Sequence, residues 1–224
     1  MGDASVDRGG LRERKKRATR QALARAALQL AIERGPENVL VGDIAAAAGV
    51  APRTFNHYFA SKDAAIVAEG ADRAQVLLDA LRGRPDDEPL WNAVRAAVRE
   101  LFGTAEPDRQ WVVRAQLVKS SPALRIEQQR SDLAVQAMLA TEVARRTRTD
   151  AEVDLYPRLA ATATMSAVRA AIDHWLTAPP DHEGSLPSAV DGALELLTTG
   201  LPEPGRTSTA HRRLGDDERA PEAP

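Results

Sequence analysis

Residues 43–54 read Asp43-Ile44-Ala45-Ala46-Ala47-Ala48-Gly49-Val50-Ala51-Pro52-Arg53-Thr54. An apolar, alanine-rich run from Val39 to Ala48 leads to Gly49, which can take the left-handed conformation that ends a helix. Pro52 opens the next helical turn at its favoured first position. Ala45 is small where a second helix must cross close by, and Val50 and Phe55 can plug the angle between the two. Two short helices on a tight glycine turn are the sequence form of a helix-turn-helix. Its second helix can lie in the major groove of DNA with its N-terminal residues facing base edges.

Outward from this motif the chain reads as helices. From Leu11 to Arg34, the residues Leu23, Ala26, Ala27, Leu30 and Ala31 follow steps of three and four along one face. Gly35-Pro36 stops that helix. Arg12, Arg14, Lys15, Lys16, Arg17 and Arg20 load its expected start with cations, which oppose the helix dipole there and favour an external anion. Beyond the motif, Ser61 reads as the N-cap of a helix from Lys62 to about Leu81, with Asp63 in its first turn. Residues 83–89 form a charged, proline-bounded break. Further helices are expected over 90–103, 108–119, 123–148, 156–177 and 186–199, with Pro107, Pro122, Pro157, Pro179-Pro180 and Pro187 at or near their ends. No strand alternation is visible, and the abundance of alanine suits helices. Residues 1–10 read as a disordered lead-in. Residues 201–224, with only Leu201 and Leu214 as large aliphatics, read as a disordered tail that cannot bury enough apolar surface to offset its ordering entropy.

Composition narrows the function. The chain has 224 residues, 43% of them hydrophobic and 28% charged, enough for a core in a soluble protein. It contains no cysteine, which removes disulfides, thiolate zinc sites, iron–sulfur clusters and cysteine nucleophiles. The four histidines, His57, His174, His182 and His211, do not pair at a helical ligand spacing. Asp181-His182-Glu183 are adjacent residues and cannot all point at one metal. There is no P-loop, dinucleotide fingerprint or nucleophile elbow. No enzyme, cofactor or metal is expected. No apolar run approaches the ~18 residues of a membrane span, and the polar N-terminus lacks the apolar centre of a signal peptide. A cytoplasmic protein without a membrane partner is expected. Residues 1–62 hold 11 Lys/Arg against 6 Asp/Glu, and the rest of the chain holds 19 against 26. A basic module on an acidic body suits phosphate contact by the module.

The stretch from Arg17 to Val67 resembles the DNA-binding domain of the TetR family of transcriptional regulators. The matching residues are Leu30, Gly35, Ile44-Ala45, Ala48-Gly49-Val50, Arg53-Thr54-Phe55-Asn56-His57-Tyr58-Phe59 and Ser61-Lys62. Two further stretches, Arg114-Ala-Gln-Leu-Val-Lys-Ser-Ser-Pro-Ala-Leu-Arg125 and Ala171-Ile-Asp-His-Trp-Leu176, resemble a ligand domain of actinobacterial members. Those members include the mycofactocin regulator and others proposed to sense acyl-CoA. The resemblance implies an all-α fold: a three-helix helix-turn-helix domain over 11–69, then a helical ligand-binding and dimerisation domain over 70–200. It implies a ligand-responsive regulator, in the usual case a repressor. Such a regulator binds a near-palindromic double-stranded operator as a homodimer and is released by a small apolar or amphipathic effector. In one respect the sequence departs from the family. Leu40 stands where members place Thr or Ser ahead of the first motif helix, which removes a cap worth about 1 kcal/mol. Asn38 or nearby backbone amides can substitute.

Residue roles follow. Pro52, Arg53 and Thr54 begin the recognition helix. Arg53 can pair with a guanine edge or contact phosphate. Thr54 by resemblance binds phosphate, or else caps the local backbone. Asn56 can read adenine or donate to phosphate, and His57 can contact DNA or stay solvated. Tyr58 and Lys62 resemble recurrent phosphate ligands, while Phe55 and Phe59 are core. Arg17 and Arg20 can reach the DNA backbone or the minor groove. For the dimer, Ala163, Ser166, Ala167, Ala170 and Ala171 offer a close-approach stripe, and Val190, Ala193, Leu194 and Leu197 a second one. The alternative is that both stripes face the chain's own core. Trp91, Phe102, Trp111, Leu117, Met138, Met165 and Trp175 are candidates for an apolar pocket. Arg114, Gln116, Lys119 and His174 are candidates for its polar groups. A different class of function is a helical dimer that has lost operator binding and works through protein contacts. The cations at positions 53 and 62 argue against it.

Overall fold

The computed structural model describes residues 4–103, 107–179 and 184–202, and the side chains among them except those of 4–11 and 69–74. Its helices are α1 (Ala4–Arg34), α2 (Val41–Ala47), α3 (Pro52–Phe55), α4 (Lys62–Arg82), α5 (Leu90–Phe102), α6 (Arg109–Ser120), α7 (Pro122–Thr147), α8 (Leu155–Thr177) and α9 (Leu186–Thr198). A 3-10 turn at Pro36–Asn38 separates α1 from α2. The described residues contain no strand, so the all-α expectation holds.

The helix ends follow local chemistry. Ser61 accepts from the Ala64 amide at 2.9 Å and caps α4. The Asp108 carboxylate accepts from the Trp111 amide at 2.7 Å at the start of α6. Ser121 and Ser185 do the same for α7 and α9. Each cap satisfies an amide that the first helical turn leaves without a partner.

At the N-terminus, α1 begins at Ala4, within the stretch expected as a lead-in. The helix continues N-terminally from Leu11 by the same backbone bonding, in spite of Gly9 and Gly10. The predicted conflict between cations and dipole therefore disappears. Arg12 to Arg20 lie two turns or more inside α1, and the dipole acts only within the first turn. Within the expected tail only Leu201 and Pro202 are described, and Asp181-His182-Glu183 lies outside the described residues.

Two cores form. The first seals Leu23, Leu28, Ile44, Phe55, Ile66 and Leu124. The second gathers Leu78, Leu81, Val94, Val98, Leu139, Val143, Leu186 and Leu194. The expected domain boundary at 69/70 falls inside α4, which contributes Ala65 to Ala68 to the first core and Leu77 to Leu81 to the second. Leu124, at the start of α7, completes the first core from the far side of the sequence. A single long helix thus joins the two units, and any tilt of it is felt by both. The break at 83–89 is fixed by Arg146, whose guanidinium donates to the carbonyls of Arg84, Pro85 and Glu88 at 3.2, 2.6 and 3.3 Å.

Candidate nucleic-acid interface and effector cavity

The turn of the motif is built as its sequence demands. Gly49 has φ +69°. Its amide donates to Ala46 O at 3.1 Å, and the Val50 amide reaches back to Ala45 O at 2.9 Å. These paired bonds are the glycine-dependent helix stop in which a left-handed residue closes the last carbonyls. Ala45 and Ile44 are fully buried, and Ile44 shares its core with Phe55. The Phe55 and Phe59 rings lie 5.6 Å apart, and both are buried. Phe55 anchors one side of α3 while the opposite side is left to solvent.

On that open side stand Pro52, Arg53, Asn56 and His57, all exposed. Thr54 and Tyr58 are half-buried at its edge. The Thr54 amide closes the first turn on Ala51 O at 2.8 Å. α3 and the turn after it are therefore held from within by Phe55 and Phe59, and their polar side chains project outward. That is the disposition needed to meet base edges and phosphates.

Three cations behave differently from one another. Arg17 is exposed on α1. Arg20 lies over the Phe59 ring, 5.1 Å from its centroid, so it braces the recognition helix against α1. Lys62 was expected only as a phosphate ligand. Its ammonium donates to the carbonyls of Glu37 and Val39, both at 3.0 Å. Lys62 thereby ties the start of α4 to the turn between α1 and α2. An ammonium carries three donors, so one remains after this tie.

At the position of the missing hydroxyl, Leu40 is extended, caps nothing, and is 65% exposed. Asn38 does not substitute for it: its amide donates to Arg34 O at 2.7 Å and caps the end of α1 instead. Sequence reasoning missed the roles of Arg20, Asn38 and the Lys62 ties. All but the Asn38 cap join residues more than 20 positions apart, and no local pattern signals such a contact.

The second domain encloses a cavity of about 600 Å³ between α4, α5, α6, α7 and α8. Phe102, Trp111, Arg114, Met165 and His174 line it as expected, and so does Lys119. The other five predicted lining residues do not, Gln116 being exposed outside the lining. Trp91 packs against the second core. Leu117 packs against the first core. Met138 lies on the outer face of α7, 41% exposed. Trp175 stands behind the wall, edge-on to Trp111 at 6.3 Å, with its indole N–H donating to Gly184 O at 3.1 Å. The apolar wall is completed by Leu77, Val98, Val135 and Ile172. Among the described residues, no group of three or more His, Asp or Glu is placed to hold a metal, and no helix is long and apolar enough to cross a membrane.

The predicted dimer stripes divide. Ala171, Val190 and Leu194 are buried in the chain's own core. Ser166 and Ala170 face outward on α8 together with Leu155 and Leu159. On α9, Leu196 is 50% exposed, and a side chain added at Gly192 would meet nothing within 4 Å.

Comparison with known proteins agrees with this architecture. Residues 23–68 match the family described as bacterial regulatory proteins, tetR family. Residues 88–202 match the MftR C-terminal domain. The HTH-type transcriptional regulator TcmR of Streptomyces glaucescens is 32% identical over 200 residues, covering 86% of this chain and 88% of that protein. A putative mycofactocin biosynthesis transcriptional regulator, MftR, of Mycobacterium tuberculosis is 29% identical over 193 residues, covering 84% and 93%. Among solved structures, the fatty acid degradation regulator FadR of Bacillus halodurans aligns with a TM-score of 0.54 at 21% identity, covering 83% of this chain and 97% of that one. FadR of Thermus thermophilus, a TetR-family repressor in complex with lauroyl-CoA, aligns with a TM-score of 0.54 at 20% identity, covering 84% and 98%. With its helix-turn-helix head and its helical ligand-domain body, this chain belongs to the TetR family of transcriptional regulators.

Proposed function

We propose that this regulator binds a near-palindromic operator as a homodimer, represses from it, and is released by an amphipathic effector held in the cavity of the second domain. The observation that carries the reading is the open face of α3. Arg53 projects from α3, and Asn56 and His57 from the turn that follows it, while buried Phe55 and Phe59 hold the other side. Arg53 reads a base, and Arg17, Thr54, Tyr58 and Lys62 supply the sequence-independent phosphate grip.

The outward stripe Leu155, Leu159, Ser166 and Ala170 on α8, with Gly192 and Leu196 on α9, supports the homodimer. Small residues there let two copies approach closely, and the exposed leucines supply apolar area. Two copies in this arrangement place two α3 helices in successive major grooves, about 34–36 Å apart.

The cavity supports an amphipathic effector. Its walls are aromatic and aliphatic, with cationic groups among them. The similar Thermus thermophilus regulator is described with lauroyl-CoA, a molecule of that character. An effector releases the operator by binding the non-DNA conformation better. By linkage, DNA then weakens effector binding by the same factor.

The test is selection of random duplexes by the purified chain at two salt concentrations, with sequencing of the bound pool. Enrichment of a near-palindrome, with affinity falling steeply as salt rises, is expected. Salt-sensitive binding with no enriched sequence would overturn the operator reading.

A further inference from the structure

Arg114 differs from the other cations of the cavity in being buried, with 8% of its surface exposed. Its guanidinium donates from Nη2 to the main-chain carbonyl of Val67 in α4, at 3.4 Å. The place of that bond matters. Val67 belongs to the part of α4 packed in the core of the DNA-binding head, and Gly70 follows one turn later. A mid-helix glycine lowers local helix stability relative to alanine. Three and four residues beyond Arg114, Leu117 and Val118 pack on the head's core as well. α6 therefore presents one residue that is both part of the cavity wall and bonded to the head's side of the connecting helix.

The chemistry of the wall says what disturbs this bond. A neutral carbonyl 3.4 Å away is a modest acceptor for a guanidinium. An oxyanion in the same space is a far better one, because charge-assisted hydrogen bonds are roughly twice as strong as neutral ones. The remaining charge on the wall also favours an anion. Lys119 and Arg125 join Arg114, Asp132 is already paired with Arg169 and accepts from the Gln128 amide at 2.8 Å, and Asp173 adds one carboxylate that the cations outnumber.

We propose that Arg114 is the positioning residue through which the cavity is read by the DNA-binding head. An effector with an oxyanion on an apolar body draws the guanidinium off the Val67 carbonyl and releases α4 at that turn. This inference rests on the regulatory reading above for its DNA half. The preference for an oxyanion stands without it.

The experiment uses the full chain and two probes that differ only at the head, dodecanoate and dodecanol. Binding is followed by tryptophan fluorescence, since Trp111 lines the cavity. Wild type is expected to bind dodecanoate at least about tenfold more tightly than dodecanol, as a hydrogen bond to a charged group implies. Arg114→Met should make the two probes bind alike. With a selected operator duplex present, dodecanoate should weaken DNA binding by wild type and leave Arg114→Met bound. Where Arg114→Met does not fold, Arg114→Lys keeps the charge, loses the planar fork, and should retain only part of the preference and of the release.

Equal binding of the two probes by wild type would overturn the proposal. So would an Arg114→Met protein that keeps both the preference and the release. Failure of the regulatory reading looks different. The duplex selection would then enrich nothing while the Arg114-dependent preference for dodecanoate persisted, which upholds the oxyanion site and removes its coupling to DNA.

Discussion

In the DNA-binding head, Leu23, Leu28, Ile44, Phe55 and Ile66 are sealed from solvent around a motif of two short helices. In the second domain, Phe102, Trp111, Met165 and Ile172 surround about 600 Å³ of open space instead. The same composition of alanine, leucine and aromatic residues serves both. On the proposed function the head holds Arg53 and His57 in one geometry, and close packing around two tilted, buried phenylalanine rings supports that. On the same reading the second domain admits a ligand and changes shape, and unfilled volume lets helices shift at low cost. The difference teaches that close packing is concentrated at the helix-turn-helix and withheld at the cavity, the division that the proposed function calls for.

The sharpest way to break this comparison is to truncate one ring in each region. Phe55→Ala should cost about 3–5 kcal/mol of stability, typical of a fully buried phenylalanine, and should abolish duplex binding. Phe102→Ala, at a half-buried ring facing open space, should cost clearly less and leave duplex binding intact. Chemical denaturation of both variants, with duplex titration, checks this. Equal losses would show that the cavity wall is packed as tightly as the head.

Adding volume reverses the test. Ala45→Leu puts three carbons at a fully buried position of α2 and should cost about 1–3 kcal/mol by overpacking. Ala115 lines the cavity. Ala115→Leu should therefore leave stability within about 1 kcal/mol of wild type, since cavity-filling changes are commonly neutral or stabilising. It should also weaken dodecanoate binding. A large destabilisation by Ala115→Leu would mean that the space closes in solution.

Next come the cations of the head, where the sequence was only partly legible. Arg53→Ala should relax preference at one base pair by about 1–3 kcal/mol, read by repeating the duplex selection. Lys62→Ala should weaken all duplexes alike and also lower the thermal midpoint. The second effect follows from the bonds to Glu37 and Val39, which an ammonium used only for phosphate would not make. If the midpoint stays put, the ties to the turn are energetically idle.

Lys62 illustrates what a sequence reveals and what it conceals. Gly49, Pro52, Ser61 and Pro122 each act within a few residues, so the helix ends they set were readable along the chain. The face of α3 was readable too, because Phe55 and Phe59 leave the other side to Arg53, Asn56 and His57. The carbonyls that Lys62 binds lie 23 and 25 residues back, across a turn whose path depends on packing. The cavity was less legible for a related reason. Met138 and Met165 are both apolar residues in the middle of long helices. One faces outward and one lines the cavity, and only the crossing of α7 with α8 decides which. The predicted close-approach stripes mixed inward Val190 and Leu194 with outward Ser166 and Ala170 for the same cause: period counting finds a face without saying what it faces.

The smallest expected effect lies where charge adds to packing in holding α5 against α9 in the second domain. Arg99 donates to both oxygens of Asp191 at 2.8 and 2.7 Å, and Arg95 donates to the same carboxylate at 3.2 Å, joining α5 to α9. The bond from Arg99 holds the Asp191 carboxyl below its ordinary range, with Arg95 adding to the effect and partial burial opposing it. A carboxylate lowered in this way contributes stability above its ordinary pKa, and the contribution fades as pH falls through its folded value. Asp191→Asn should therefore lower stability at neutral pH. Arg99 is more than half exposed, so solvent screening limits the loss to no more than about 1 kcal/mol. The gap between wild type and variant should close on acidification below about pH 4, where the unfolded carboxylate is already protonated. Thermal melts of both proteins across that range measure it. A gap that persists at low pH would assign the contact to shape rather than charge. The second domain would then be held at this helix pair in the same way as the head.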